Sequence, residues 1–146
     1  MKTAAQILKS KPDQTVHTMG PTALVFEAVR LMADKNIGAL VVVERDKVVG
    51  IVSERDYARK VVLMARSSKD TPLSDIMSSP VLYVYPGQTS EECMALMTEN
   101  RLRHLPVMDG GRLIGLISIG DLVKATISEQ QFIIEQLEHY ISGQRD

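Results

Sequence analysis

Aromatic residues are scarce in this chain of 146 residues: they make up 4%, and tryptophan is absent. Platforms that stack nucleic-acid bases need aromatic faces, so that role is poorly supported. Net charge is −1 and no long basic run occurs, which argues against a protein whose main task is to hold a phosphate backbone. The single cysteine, Cys93, excludes an intrachain disulfide and suits a reducing compartment. No apolar run approaches the ~20 residues that span a bilayer. Met1 to Ser10 lacks the continuous apolar stretch of a secretory signal. The expectation is a cytoplasmic protein without a membrane partner.

What is present is ordinary in amount and unusual in order. Hydrophobic residues are 45% and charged residues 24%, values of a globular chain that buries roughly 68–70% of its surface on folding. A shift of 65 residues lays Gly50-Ile51-Val52-Ser53-Glu54-Arg55-Asp56 on Gly115-Leu116-Ile117-Ser118-Ile119-Gly120-Asp121. The register holds without a gap from Val16/Val81 to Lys60/Ala125. It also matches Leu31-Met32 with Leu96-Met97 and Leu40 with Leu105. A hydroxyl and a carboxylate three apart, repeated after Gly and two apolar residues, point to two related sites rather than one catalytic centre.

Each repeat reads as strand, helix, strand, strand, helix. Val16 to Thr18 is a short strand stopped at Gly20-Pro21, and a helical pattern follows with Leu24, Ala28, Leu31 and Met32 on one face. Ile37 to Val43 is a continuous apolar run, the mark of a buried strand. Arg45-Asp46-Lys47 turns it into Val48 to Val52, and a helix starts near Ser53. Repeat two copies this order with strands Val81–Tyr85, Leu102–Met108 and Leu113–Ile117, and helices Thr89–Asn100 and from Ser118. The expected division is 1–70 for the first repeat with its lead-in and linker, 71–128 for the second, and 129–146 for an amphipathic C-terminal helix.

With "GIVSERD" and "GLISIGD" closing the two strand pairs, and with "NIGALVVV" and "RHLPVMDGGRLIGLIS" before them, residues 1–128 resemble a tandem CBS-domain pair, the Bateman module. The resemblance implies an α/β (α+β) fold of two β-α-β-β-α repeats with pseudo-two-fold symmetry. It implies a regulatory module, not an enzyme, that binds AMP, ADP, ATP or NAD in clefts between repeats and often forms disc-like homodimers. The expectation is that an effector protein acts in trans.

By that resemblance each site crosses between repeats. Ser53, Arg55 and Asp56 would combine with Val81, Leu82, Leu102, Arg103 and Pro106. Ser118, Gly120 and Asp121 would combine with Val16, His17, Ile37, Gly38 and Ala39, while Arg103 and His104 lie near phosphates. The chemistry agrees: a helix start receives phosphate, a carboxylate one turn on accepts a ribose diol, and apolar strands sandwich a purine. Arg55 has no counterpart in the second motif, so the Ser53–Asp56 site is expected to bind phosphate better.

Plainer readings compete. Ser-x-x-Asp is also a helix capping box. Cys93 matches Ala28, a small buried position rather than a reactive thiol, and His17, His104 and His139 have no metal-ligand spacing with it. No activated nucleophile or acid–base pair is apparent. A ligand-free dimerisation module is the rival to a nucleotide sensor.

Overall fold

The computed structural model describes residues 1–142, so 143–146, the end of the expected C-terminal helix, lie outside the described residues. The elements are α1 (Ala4–Ser10), β1 (Thr18–Met19), α2 (Val25–Lys35), β2 (Ala39–Glu44) and β3 (Lys47–Ser53). α3 (Glu54–Tyr57) continues into a π-helical turn at Ala58–Val62, and a single 3-10 turn sits at Leu73–Asp75. The second repeat supplies α4 (Ser90–Asn100), β4 (His104–Asp109), β5 (Arg112–Ser118) and α5 (Ile119–Ser142).

The chain forms two compact units. One comprises 15–83 with 110–114; the other comprises 1–14, 84–109 and the chain from 115. In the first, β2 is the middle strand, parallel to β1 and antiparallel to β3. Its residues Ala39 to Val42 are all buried, as a strand covered on both faces requires. Arg45 and Asp46 both take positive φ, 51° and 64°, the backbone of a two-residue hairpin turn whose twist matches the strands. α2 ends at Asn36 with φ 54°, where a left-handed residue closes the last turn.

The second unit repeats this plan with differences. β4 and β5 pair as a two-stranded sheet. The expected strand Val81–Tyr85 is reduced to one parallel bridge, Val84 to Val107; of its five residues only Val84 is buried. The final repeat helix and the C-terminal helix, expected as two elements, run together as the single α5 of 24 residues.

Each unit has its own core, and the cores match under the repeat. Ala28, Met32, Leu40, Val42 and Val52 are buried in one; Cys93, Met97, Leu105, Val107 and Ile117 are buried in the other. The segments leading into the repeats are exchanged. Ile7 and Leu8 of α1 pack with the second repeat's residues, and Leu73 and Ile76 pack with the first repeat's. α1 is tied there by Ala4 N–H to the Gln88 carbonyl (2.8 Å) and Lys2 N–H to Glu129 (2.6 Å).

Candidate functional site

The two Ser-x-x-Asp motifs are built alike. Ser53 and Ser118 each end the second strand of a hairpin in extended backbone, and a helix starts at the next residue. Asp56 N–H donates to Ser53 Oγ (3.2 Å), and Ser53 N–H donates back to Asp56 Oδ2 (2.9 Å). At the second motif Asp121 N–H donates to Ser118 Oγ (3.1 Å) and Ser118 N–H to Asp121 Oδ2 (2.8 Å). The capping box is therefore present at both. It fixes each carboxylate beside the hydroxyl, at the end of a helix that carries partial positive charge.

The next helical N–H is also committed. Glu54 N–H donates to the Gly38 carbonyl (3.0 Å), and Ile119 N–H donates to the Arg103 carbonyl (2.8 Å). These are equivalent positions in the repeat, and each bond lies within one unit. The structure thus brings Gly38 and Ala39 to Ser53–Asp56, and Arg103 to Ser118–Asp121. The expected sites grouped these segments the other way. The hairpin dictates this neighbourhood: in the β2–β3 register Ala39 faces Ser53, so the start of the first strand meets the end of the second.

The remaining candidates divide by unit. Val16, His17, Val81 and Leu82 belong with Ser53, Arg55 and Asp56; Leu102, His104 and Pro106 belong with Ser118, Gly120 and Asp121. Arg55, Leu82, Arg103 and Gly120 are exposed, whereas Ala39 and Pro106 are buried. A cavity of about 370 Å³ opens between α2 and α3, walled in part by Met32, Ile37, Gly38, Glu54 and Tyr57.

Two lysines were missed in the sequence. Lys11 Nζ lies 3.1 Å from Asp121 Oδ2, and Lys60 Nζ lies 3.2 Å from Asp56 Oδ1. Lys11 also donates to the Leu116 carbonyl and Lys60 to the Ile76 carbonyl, both at 2.9 Å. Lys60 matches Ala125 and Lys11 precedes the repeat register, so no motif announced either.

Burial lowers the pKa of His104 from its ordinary value near 6.5, with Lys11 and Arg103 acting in the same direction and Asp121 against them. The folded pKa of His104 lies below the unfolded one, so the unfolded chain takes up the proton first. Stability attached to this group is present above about pH 6.5 and is lost as pH falls toward the folded value. The melting temperature of the unliganded protein is expected to drop as pH falls below about 6.5, and His104→Gln is expected to flatten that drop. An unchanged profile in the variant would assign the loss to other groups. Cys93 is fully buried, and burial pushes its thiol up, with Glu92 adding to the rise, which suits a packing thiol. Among the described residues no cluster of three or more metal-ligating side chains occurs. No described helix is long and apolar enough to cross a membrane.

Two hairpin-and-helix units, each presenting one capped carboxylate, define a tandem-repeat module. The CBS-domain family profile matches residues 5–63 and 73–128; the chain belongs to the CBS-domain family. A solved signal-transduction protein with CBS domains from Burkholderia ambifaria is 61% identical, covering 88% of this chain and 96% of its own, with a TM-score of 0.85. A CBS-domain protein of Agrobacterium tumefaciens is 36% identical over 86% of this chain and 99% of its own, with a TM-score of 0.80. The mitochondrial CBS domain-containing protein CBSX3 of Arabidopsis thaliana is 43% identical over 82% of this chain, which spans 60% of that relative's length. Paired CBS repeats of this kind are regulatory modules.

Proposed function

We propose that this chain is a ligand-sensing regulator that binds an adenine nucleotide (AMP, ADP, ATP or NAD) at its Ser-x-x-Asp motifs. It works as a cytoplasmic homodimer and signals to a separate effector protein, without catalysis of its own. The observation that carries this reading is the pair of equivalent carboxylates, Asp56 and Asp121, each oriented by its own serine at a helix start. A carboxylate so held accepts the hydroxyls of a ribose. One site takes Ser118, Gly120 and Asp121 with Leu102, Arg103, His104 and Pro106. The other takes Ser53, Arg55 and Asp56 with Ile37, Gly38 and Ala39. Val16, His17, Val81 and Leu82 are the remaining candidates for purine contacts. The company of Arg103 and Lys11 favours Asp121 as the centre of the better phosphate site, the reverse of the ranking that Arg55 suggested.

AMP has about 23 heavy atoms; at about −0.3 kcal/mol per atom the affinity is on the order of 10 μM. Ligand at about 1 mM then adds about 2.7 kcal/mol and raises the melting temperature by roughly 5–10 °C. A thermal-shift series with AMP, ADP, ATP and NAD is expected to show such a rise for at least one, reduced in Asp121→Ala. A second reading, a ligand-free dimerisation module, is favoured by the exposed apolar residues of α5, among them Phe132, Ile134, Leu137 and Ile141. Protein freed of bound nucleotide that shifts with none of the four, yet dimerises, would select it.

A further inference from the structure

The two carboxylates are not equally available. Within its unit, among the described residues, Asp121 meets Ser118 N–H and Lys11 on Oδ2. Within its unit, among the described residues, Oδ1 accepts nothing. Asp56 is engaged on both oxygens. Its Oδ2 accepts Ser53 N–H (2.9 Å) and Ser53 Oγ–H (3.1 Å), and its Oδ1 faces Lys60 Nζ at 3.2 Å. A diol needs a carboxylate oxygen with a free lone pair in the right direction for each hydroxyl it donates. At Asp56, Lys60 already takes one lone-pair direction of Oδ1. It is also held from behind, because the same Nζ donates to the Ile76 carbonyl at 2.9 Å.

We propose that Lys60 is a specificity-determining residue that competes with ligand for Asp56 Oδ1, so that the Asp121 site fills first and the Asp56 site is the weaker. The inference rests on the nucleotide reading above and deepens it. The repeat itself supports the asymmetry: the position of Lys60 in the first motif's helix is Ala125 in the second, so only one motif carries its competitor on its own helix. The lysine of the other motif arrives from the residue after α1 and shares the oxygen that the serine already uses.

The size of the effect is bounded. The Lys60 side chain is 43% exposed, and ion pairs of such exposure are weak, so releasing Asp56 is expected to tighten binding about two- to fivefold. The choice of probe follows from charge. Removing a cation weakens an anionic ligand on its own account, whereas neutral adenosine reports only the freed oxygen.

Calorimetric titration of adenosine tests this. Wild-type protein is expected to show two unequal sites. In Asp121→Ala the single remaining weak site should tighten about two- to fivefold when Lys60→Met is added, and should stay as it was with Lys60→Arg, which restores the competitor. Two equal sites in the wild type, a weak site unmoved or weakened by Lys60→Met, or tighter binding in Asp121→Ala than in Asp56→Ala would each overturn the proposal while leaving nucleotide binding intact. Wild-type protein that binds neither adenosine nor AMP would overturn this proposal together with the reading it rests on.

Discussion

Leu105→Ala is expected to cost about 2–5 kcal/mol of folding stability, and Leu40→Ala a similar amount. Both side chains are fully buried. They occupy the same place in the repeat, near the start of β4 and of β2, and each sits in the core of its own unit. Truncation removes the transfer energy of three carbons and leaves a cavity, which a core close-packed around two layers can fill only in part. A domain of this class has about 5–15 kcal/mol in hand. Either single variant should therefore unfold at markedly lower urea, and the double variant, at a cost of about 4–10 kcal/mol, should lose much of the total stability. Urea titrations followed by circular dichroism measure both. A cost under about 1 kcal/mol at either position would mean that the site collapses around the loss, and that its place at the centre of the core is misjudged.

That matched pair shows what the sequence makes legible. The 65-residue shift equates Leu40 with Leu105 and Met32 with Met97, and these residues are buried in the two units. Apolar runs, turn residues and the Ser-x-x-Asp caps carry their physics locally, so hairpins and helix starts are readable to within a residue or two. The hairpin also carries information about the site. Counting outward from Arg45-Asp46 brings Ala39 to Val52, and a register shift between Val42 and Val43 moves it on to Ser53, so strand pairing gives the company of each carboxylate to within one residue.

Other features are not local. Ile7-Leu8 and Leu73/Ile76 are short apolar segments that fit either core, and only tertiary packing decides that each covers the other repeat's elements. The lysines at Asp56 and Asp121 come from unrelated positions, one on the motif's own helix and one after α1, so no repeat pattern could reveal them. Val81–Tyr85 carries strong strand propensity, yet it makes a single bridge because only Val84 faces the core; propensity yields to context.

Gly50 and Gly115 combine both kinds of information, and the variant carrying both as Ala is expected to lose about 2–4 kcal/mol. The glycines open the two repeated motifs, where a phosphate-binding role would be the usual guess. The structure supplies another reason. A Cβ on Gly50 would run into the Met77 side chain along three of its atoms, Cβ included, and a Cβ on Gly115 would meet both methyls and the Cγ of Leu8. Met77 and Leu8 belong to the two exchanged lead-in segments, so each glycine is the seat on which a lead-in rests. Alanine gains about 0.4–1 kcal/mol by restricting the unfolded chain, but overpacking of this kind costs about 1–3 kcal/mol per site. The steric cost prevails, and the two sites, each within its own unit, add. Chemical denaturation of the single and double variants gives the values. Met77→Ala combined with Gly50→Ala should cost less than the sum of the two alone, by about 0.5–3 kcal/mol, because the shortened side chain makes room for the new methyl. Strict additivity of that pair, or stabilisation by Gly50→Ala, would leave the glycines without this packing role and return them to the ligand.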